Sequence, residues 1–503
     1  MTFSRIYINI WKNVMDSMTG NIVGLSFPRN DKNLGLEPSI LSVLPRGDNV
    51  VYSPRNDNLD DSKIERYLCS VYIAGMDEFR QWAAQHDPKK VVVGGYHPTM
   101  FPEKFLNLAE KVVMGPCDDI NVTLSQSNVL YEMGHYDKSK VGNARFAEGR
   151  ILRTLEPNPG MNRTYGEISD APEKPTGRAE VLKDRILPGV LTFKNPARMD
   201  LYNIRNNQQV IPDKMPYDLA TSVNTSFGCY YKCDFCCTPV MFKRLTSKPL
   251  DLIRQEVDNV KRALDEADNG HKQRFLFIRD ENFTLQKDYR KRLEIIASTN
   301  AKVYLFASAN TLTEEVVKAL KANNVYMVCL GLEDPTKFDD YPKNKHLYDA
   351  VSILKRYGIY TYLSFIVDPT KLVGKGDGDM TGAEKGKEFY ELLSKHFNAL
   401  QPEMVCGNFL MPFPGTRIWD DYYWMVSEDD FKHYDSKTPF LVKNELVATK
   451  MKYFMFKAQQ DYFMSELYNN KVRHFEVGDT LHLRFVELEE QMNSALKLMD
   501  LRP

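Results

Sequence analysis

No stretch of the 503 residues is apolar for long enough to cross a bilayer as a helix. Net charge is also missing. Sixty-six basic residues against 67 acidic ones leave a formal charge of −1, which gives no overall pull toward nucleic acid or an anionic membrane surface. Cysteine is scarce, with eight in all, at 69, 117, 229, 233, 236, 237, 329 and 406. Outside 229–237 they are scattered singly, which excludes a disulfide framework. The opening Met1-Thr-Phe-Ser-Arg-Ile-Tyr-Ile-Asn-Ile has no run that reads as a secretory signal. These absences together lead to the expectation of a cytoplasmic protein with neither a membrane partner nor general nucleic-acid binding. What remains is ordinary for a globular chain: 43% apolar and 26% charged residues, at a length that suggests two or three domains.

Against that scarcity, three cysteines crowd into Cys229-Tyr-Tyr-Lys-Cys233-Asp-Phe-Cys236, a C-x3-C-x2-C spacing. They follow an expected strand at Ala220–Thr225 and a turn opened by Gly228. A loop this short can wrap three thiolates around one inorganic centre. Structural zinc wants four closed ligands, and Cys237, adjacent to Cys236, makes a poor fourth member of a tetrahedron. A redox dithiol would need thioredoxin-like surroundings, which the neighbouring sequence lacks. Three thiolates suit a 4Fe-4S cluster that keeps one iron free for a substrate or cofactor.

Residues 1–140 read as alternating strands and helices. Strands are expected at Ile22–Phe27, Asn49–Tyr52, Ser70–Ala74 and Lys90–Val93, with helices at Glu37–Leu44 and Met76–Gln85. Near-continuous apolar strands between helices point to a doubly wound, Rossmann-like parallel sheet. Ligands bind such sheets at the carboxyl ends of the strands, where the loop Gly94-Gly95-Tyr-His97-Pro-Thr would lie. Beside Pro98, His97 suits a cofactor contact and a local backbone cap equally.

Residues 141–215 hold recurrent prolines, glycines and charges without periodicity, and read as a connector. From 216 to 430 the pattern is regular. Ile253, Val257, Val260 and Leu264 mark one helical face. Strands follow at Phe275–Ile278, Val303–Ser308, Val325–Leu330, Ile359–Ile366 and Val405–Leu410, separated by helical stretches at Tyr289–Ala297, Glu314–Lys321, Leu347–Tyr357 and Ala383–His396. With the strand before the cysteines this makes six βα units, a partial (β/α)6 barrel. Its polar strand ends are Asp280-Glu-Asn282, Ser308, Gly331-Leu-Glu333, Asp368-Pro and Pro412-Phe-Pro-Gly-Thr. Chemistry in such folds gathers at those ends. Residues 431–503 read as helical, with Val447, Met451, Phe454, Met455, Ala458 and Tyr462 in one stripe expected to close the open side of the barrel.

The cysteine spacing, with Phe235 before the last cysteine, resembles the cluster loop of the radical SAM superfamily, and the likeness extends over about 217–420. Such a likeness implies that Cys229, Cys233 and Cys236 hold a 4Fe-4S cluster whose free iron chelates S-adenosylmethionine (SAM). It further implies that Glu333 approaches the SAM ribose or amino group, that Phe235 lies against the adenine, and that Asp280, Asn282 and Ser308 face the same pocket. Reductive cleavage of SAM would then give a 5′-deoxyadenosyl radical that abstracts hydrogen, with flavodoxin or ferredoxin as the type of electron donor. Phe365-Ile-Val-Asp-Pro-Thr departs from the Gly-x-Pro-Gly-Glu-Thr common among relatives.

Val91-Val-Val-Gly94-Gly95-Tyr-His97-Pro-Thr, followed by Val112-Val-Met-Gly115, resembles the cobalamin-binding domain that precedes many radical SAM modules. No Asp-x-His-x-x-Gly supplies an axial histidine, and Gly115-Pro-Cys-Asp-Asp stands where relatives show Gly-Glu-Gly-Glu. Cobalamin held without a protein ligand, a relic, and a domain reused for other contacts are all open. With cobalamin, methyl transfer or rearrangement follows; without it, oxidation or isomerisation. A non-catalytic iron-sulfur or zinc protein on the same barrel is the alternative from another class. The substrate class is not written in charge or aromatic pattern.

Overall fold

A computed structural model describes residues 22–27, 50–53, 61–105, 108–113, 129–132, 135–136, 219–242, 244–267, 273–340, 344–372, 379–443 and 445–465. The expected helix at Glu37–Leu44, the Gly115–Asp119 segment and the connector at 141–215 lie outside these residues.

The N-terminal sheet contains β1 (Ile22–Phe27), β2 (Val50–Ser53), β3 (Arg66–Val71), β4 (Val91–Gly94), β5 (Lys111–Val113), β6 (Val129–Glu132) and β7 (His135–Tyr136), in the order 2-1-3-4-5-6-7. The first five are parallel, and β6 and β7 add antiparallel. Strand alternation sends side chains to two cores. Tyr67, Cys69, Val91, Val93 and Val112 join α1 (Met76–Ala83). There Phe27 meets Phe79 edge-on at 5.2 Å, and Tyr67 meets Trp82 at 5.1 Å. Leu68, Val92 and Val113 point the other way, into the core that continues through the barrel.

Three further segments build the start of the barrel: β8 (Leu219–Val223), a two-stranded ribbon of β9 (Ser226–Phe227) and β10 (Thr246–Ser247), and α2 (Leu250–Ala267). The remaining strands are β11 (Arg274–Ile278), β12 (Lys302–Phe306), β13 (Val325–Glu333), β14 (Tyr360–Val367) and β15 (Met404–Phe409). Between them lie α3 (Tyr289–Ala297), α4 (Glu314–Ala322), α5 (Leu347–Arg356) and α6 (Asp379–Leu400). All six described strands of the large sheet are parallel, in the order 15-14-13-12-11-8, so among the described residues β8 and β15 are its two edges and the barrel does not close. The predicted helical face holds, because Ile253, Val257, Val260 and Leu264 are fully buried.

The last helix among the described residues, α7 (Glu445–Met464), buries Val447, Met451, Met455, Ala458 and Tyr462 of the predicted stripe. It packs on the outside of the sheet beside α6, with Phe397 and Tyr462 rings 5.5 Å apart and Tyr390 Oη donating to Asp461 Oδ2 at 2.7 Å. Phe454 turns to α6, filling the space over Gly386. The open edge at β15 is covered both by α7, whose Gln459 Oε1 accepts from Gly407 N–H at 3.1 Å, and by the chain before it, where Phe409 N–H donates to Ser436 O at 2.8 Å.

Candidate functional site

The cysteine loop leaves the carboxyl end of β8 under constraint from below. Asp280, fully buried just past β11, accepts from Thr225 N (2.6 Å), Ser226 N (3.1 Å), Ser226 Oγ (2.8 Å) and Gln286 Nε2 (2.7 Å), as well as from Thr225 Oγ1. Burial pushes its carboxyl up, and those hydrogen bonds oppose the shift. Buried Arg292 donates to Thr225 O at 3.0 Å and Lys248 O at 2.9 Å, and its charge is met by Asp288 at 2.7 Å. Thr225 and Ser226 are thereby fixed before the loop begins. A side chain at Gly228 (φ +87°) would strike Arg244 O at 2.4 Å, so the turn into Cys229 requires glycine.

From above, the loop is tied on two sides. Tyr231 Oη donates to Asn310 Oδ1 at 2.9 Å, and Ile418 N–H donates to Asp234 O at 3.1 Å. Cys236 N–H closes a turn on Cys233 O at 3.0 Å. Cys229, Cys233, Cys236 and Cys237 are thiols outside any disulfide, each half-buried, as is Phe235. Among the described residues no three His, Cys, Asp or Glu side chains are grouped to hold a single metal ion. That donor set does not form a zinc tetrahedron. It is chemically suited to a cluster, which presents each thiolate with its own iron.

The neighbouring strand ends supply the polar groups. Gly331 and Glu333 finish β13, where the pairing with β14 shifts register. Glu333 is 7% exposed and sits at φ +57°, so the fold holds a non-glycine residue in the left-handed region. Its carboxylate folds over Gly331, where a Cβ would lie 2.0 Å from Oε1. A side chain two positions before the glutamate would thus displace its carboxylate. Asn282 and Ser308 are brought together, with Asn282 Nδ2 donating to Ser308 Oγ, and Thr284 and Thr311 continue the cluster at 2.6 Å.

One expected role changes. The oxygens of Asp280 are taken up by Thr225, Ser226 and Gln286, so it braces the loop rather than facing a pocket. Its neighbour Glu281 is the carboxyl with capacity to spare. Burial pushes it up to about 7, against hydrogen bonds from its own N–H and that of Gly228, and its Oε2 has no hydrogen-bond partner. The Asp-Glu-Asn triplet was the signal, but the sequence does not say which of its acids turns inward. His97, for which a cofactor contact and a backbone cap were equally open, is fully buried with its ring between Phe101 (5.2 Å), Phe105 (5.6 Å) and Phe431 (5.5 Å). Gly95 turns the chain against Ser70 and Val71, and Gly94 lies beside Val113. Tyr96 Oη donates to Pro414 O at 2.7 Å, so this loop docks the N-terminal sheet on the segment after β15.

At the fifth strand end, Asp368 accepts from Thr370 N (3.1 Å), Thr370 Oγ1 (2.7 Å) and Tyr422 Oη (2.7 Å). Lys371 lies 3.2 Å from Asp368 and 3.6 Å from Asp334. Burial, then the Asp368 charge, pushes the Tyr422 hydroxyl up to about 12.

Residues 223–369 match the family described as the Radical SAM superfamily. No curated protein matches the sequence. Among solved structures, the radical S-adenosylmethionine methyltransferase TsrM from Kitasatospora setae, with cobalamin and a [4Fe-4S] cluster bound, is 14% identical. That match covers 79% of this chain and 77% of TsrM at a TM-score of 0.47. The cobalamin-dependent S-adenosylmethionine radical enzyme OxsB, with aqua-cobalamin and S-adenosylmethionine bound, is 11% identical, covering 97% of this chain and 73% of OxsB at 0.48. SuiB from Streptococcus suis bound to S-adenosylmethionine is 12% identical, covering 42% and 47% at 0.27. Among the described residues no helix is long and apolar enough to cross a membrane.

Proposed function

We propose that this chain is a radical SAM enzyme in which Cys229, Cys233 and Cys236 hold a 4Fe-4S cluster at the carboxyl end of the parallel sheet. The observation that carries this is the pinned, half-buried three-thiol loop after β8, in the same parallel sheet whose β13 ends in a glutamate folded over a glycine. When bound, the cluster and SAM together supply a 5′-deoxyadenosyl radical that takes hydrogen from an unactivated carbon, on receipt of one electron from a donor of the flavodoxin or ferredoxin type.

The chain's own residues bind, orient and shield. Asp280 and Arg292 hold the root of the loop so that the thiols keep their place. Glu333 and Glu281 present carboxyl oxygens to the cationic amino group or ribose hydroxyls of SAM. The spare Oε2 of Glu281 suits a donor from outside the protein. Asn282 and Ser308 complete the polar wall, and Phe235 offers a ring to the adenine. The N-terminal sheet and the segment after β15 cover the barrel mouth, and excluding water and oxygen there protects a radical.

A bound cobalamin would take no ligand from His97, whose ring is enclosed by three phenylalanines. The parallel order 2-1-3-4-5 is that of flavodoxin-like sheets, which bind cofactors at strand carboxyl ends. It supports cobalamin held without a protein ligand.

The test is anaerobic reconstitution with iron and sulfide, a count of iron per chain, and assay of 5′-deoxyadenosine from SAM under reductant. About four irons per chain are expected, with 5′-deoxyadenosine formed by the native protein and abolished by Cys229→Ala, Cys233→Ala or Cys236→Ala. Zinc in place of iron, or undiminished SAM cleavage in any of the three variants, overturns the assignment.

A further inference from the structure

Two adjacent strands of the large sheet run into the same four residues. Asp334-Pro-Thr-Lys337 follows Glu333 at the end of β13, and Asp368-Pro-Thr-Lys371 follows Val367 at the end of β14. The two corners are built alike. Asp334 Oδ1 accepts from Thr336 N at 3.0 Å and Thr336 Oγ1 at 2.6 Å. Asp368 Oδ1 accepts from Thr370 N at 3.1 Å and Thr370 Oγ1 at 2.7 Å. Each aspartate thus caps the helical turn that its proline opens, Pro335–Asp340 and Pro369–Leu372.

The other oxygen of each aspartate reaches outside its own corner. Lys371 Nζ lies 3.2 Å from Asp368 Oδ2 and 3.6 Å from Asp334 Oδ2, so the lysine of the second corner bridges back to the first. Tyr422 Oη donates to Asp368 Oδ2 as well, at 2.7 Å. Tyr422 ends the short helix Arg417–Tyr422, and the opposite end of that helix holds the cysteine loop. There Ile418 N–H donates to Asp234 O at 3.1 Å, and Arg417 lies 3.5 Å from the Asp234 carboxylate. A continuous run of contacts therefore leads from the cysteine loop through Tyr422, Asp368, Lys371 and Asp334 to Glu333, the residue bonded to Asp334.

The left-handed backbone of Glu333 gives that run something to hold. A non-glycine residue at φ +57° is in a sparsely populated state, which persists where the structure on both sides fixes it. Before it, the pairing of β13 with β14 sets Glu333 against Phe365. After it comes the Asp334 corner, which Lys371 ties to the end of β14. Without that ammonium two buried carboxylates would share the site uncompensated, and their repulsion would move Asp334 and Glu333 with it.

We propose that Lys371 is a positioning residue for SAM binding: by bridging the two corners it sets the Glu333 carboxylate relative to the cysteine loop. Its link to SAM rests on the radical SAM reading, in which Glu333 meets that cofactor. The fifth strand end, where Asp-Pro-Thr departs from Gly-x-Pro-Gly-Glu-Thr, thereby supports the fourth.

The variants are Lys371→Met, Lys371→Arg and Asp334→Asn, the last of which keeps an acceptor for Thr336 but gives up the charge beside Lys371. Hydrogen exchange over 331–337, read by mass spectrometry on the full chain without SAM, measures the hold itself. Calorimetric titration of SAM into the reconstituted protein measures its consequence. Lys371→Met and Asp334→Asn are each expected to speed exchange in that segment. Both should weaken SAM binding about tenfold, with iron per chain as in the native protein. Lys371→Arg should retain native exchange and most of the affinity. In a Glu333→Ala background, Lys371→Met should bring no further loss of SAM affinity, because the lysine acts through that carboxylate. Native exchange or native affinity in Lys371→Met overturns the positioning role. So does an equal loss in Lys371→Arg, a loss that adds to that of Glu333→Ala, or a fall in iron that matches the fall in SAM binding. No SAM binding by the native protein, with the exchange response intact, sinks the radical SAM reading alone, since the bridge still fixes Glu333. SAM binding by the native protein with no response in the variants sinks the positioning role alone.

Discussion

Replacing Gly331 by Ala sets a methyl group against the Glu333 carboxylate. The new Cβ would lie 2.0 Å from Oε1 and 2.8 Å from Cδ, where real Cβ contacts essentially never fall below 3.0 Å. The carboxylate must then retreat by at least 3.0 − 2.0 = 1.0 Å. The backbone gives little help, because Glu333 already occupies the left-handed region at φ +57° in a register-shifted stretch of β13. A hydrogen bond to a charged group contributes about 1.5–3 kcal/mol, and about 1.4 kcal/mol is tenfold in affinity. Gly331→Ala is therefore expected to weaken SAM binding by about 10- to 100-fold while leaving the iron content of the cysteine loop unchanged. Calorimetric titration of SAM into the reconstituted protein reads the affinity, and a double-mutant cycle reads the cause. If the methyl acts only through the carboxylate, Glu333→Ala and the Gly331→Ala/Glu333→Ala pair should bind SAM equally. Native affinity in Gly331→Ala, or fully additive losses in the pair, would refute the reasoning.

Two further outcomes are expected. Asp280→Asn can keep one oxygen on the N–H groups of Thr225 and Ser226, but it removes the charge and puts amide hydrogens where Gln286 Nε2 and two hydroxyls now donate. It should lower unfolding free energy in urea by roughly 2–4 kcal/mol and reduce iron retained per chain; unchanged stability would contradict the bracing role. His97→Phe, inside a cage of Phe101, Phe105 and Phe431, should leave cobalt loading from hydroxocobalamin and the bound cobalamin spectrum as they are in the native protein. A spectral change specific to loss of a nitrogen ligand would restore His97 as an axial donor.

The parallel strands and their helices were readable because both faces of such strands are covered, which writes continuous apolar runs into the chain. Tyr289–Ala297 is a helix with the expected bounds, and β11, β12, β14 and β15 fall within two residues of theirs. β13 runs past its expected end, through Gly331 to Glu333, since glycine reads as a strand breaker where here it makes room for a carboxylate. The β6–β7 hairpin and the two-residue ribbon of β9 and β10 are too short to leave a period. At the site, the spacing of the cysteines singled out the loop, but orientation was not legible. Whether Asp280 or Glu281 turns inward depends on which one Thr225 and Ser226 capture, a contact across 54 and 55 positions of chain. The surroundings of His97 were not legible for the same reason, because its neighbour Phe431 lies far along the sequence.

The docking of the N-terminal sheet sets an order on how the chain can come together during synthesis. Leu68, Val92, Met100 and Phe101 belong to a core completed by Trp419 and Phe431, with Phe101 and Phe431 rings 5.5 Å apart. Those two phenylalanines are separated by 431 − 101 = 330 positions. A ribosome adding about 5–20 residues per second needs on the order of half a minute to bridge that interval. Throughout it, one apolar flank of an otherwise formed sheet waits for its cover. The nascent protein is thus expected to depend on chaperone protection between the emergence of β5 and that of Phe431, and a fragment ending before residue 412 to be captured by holdases or to aggregate.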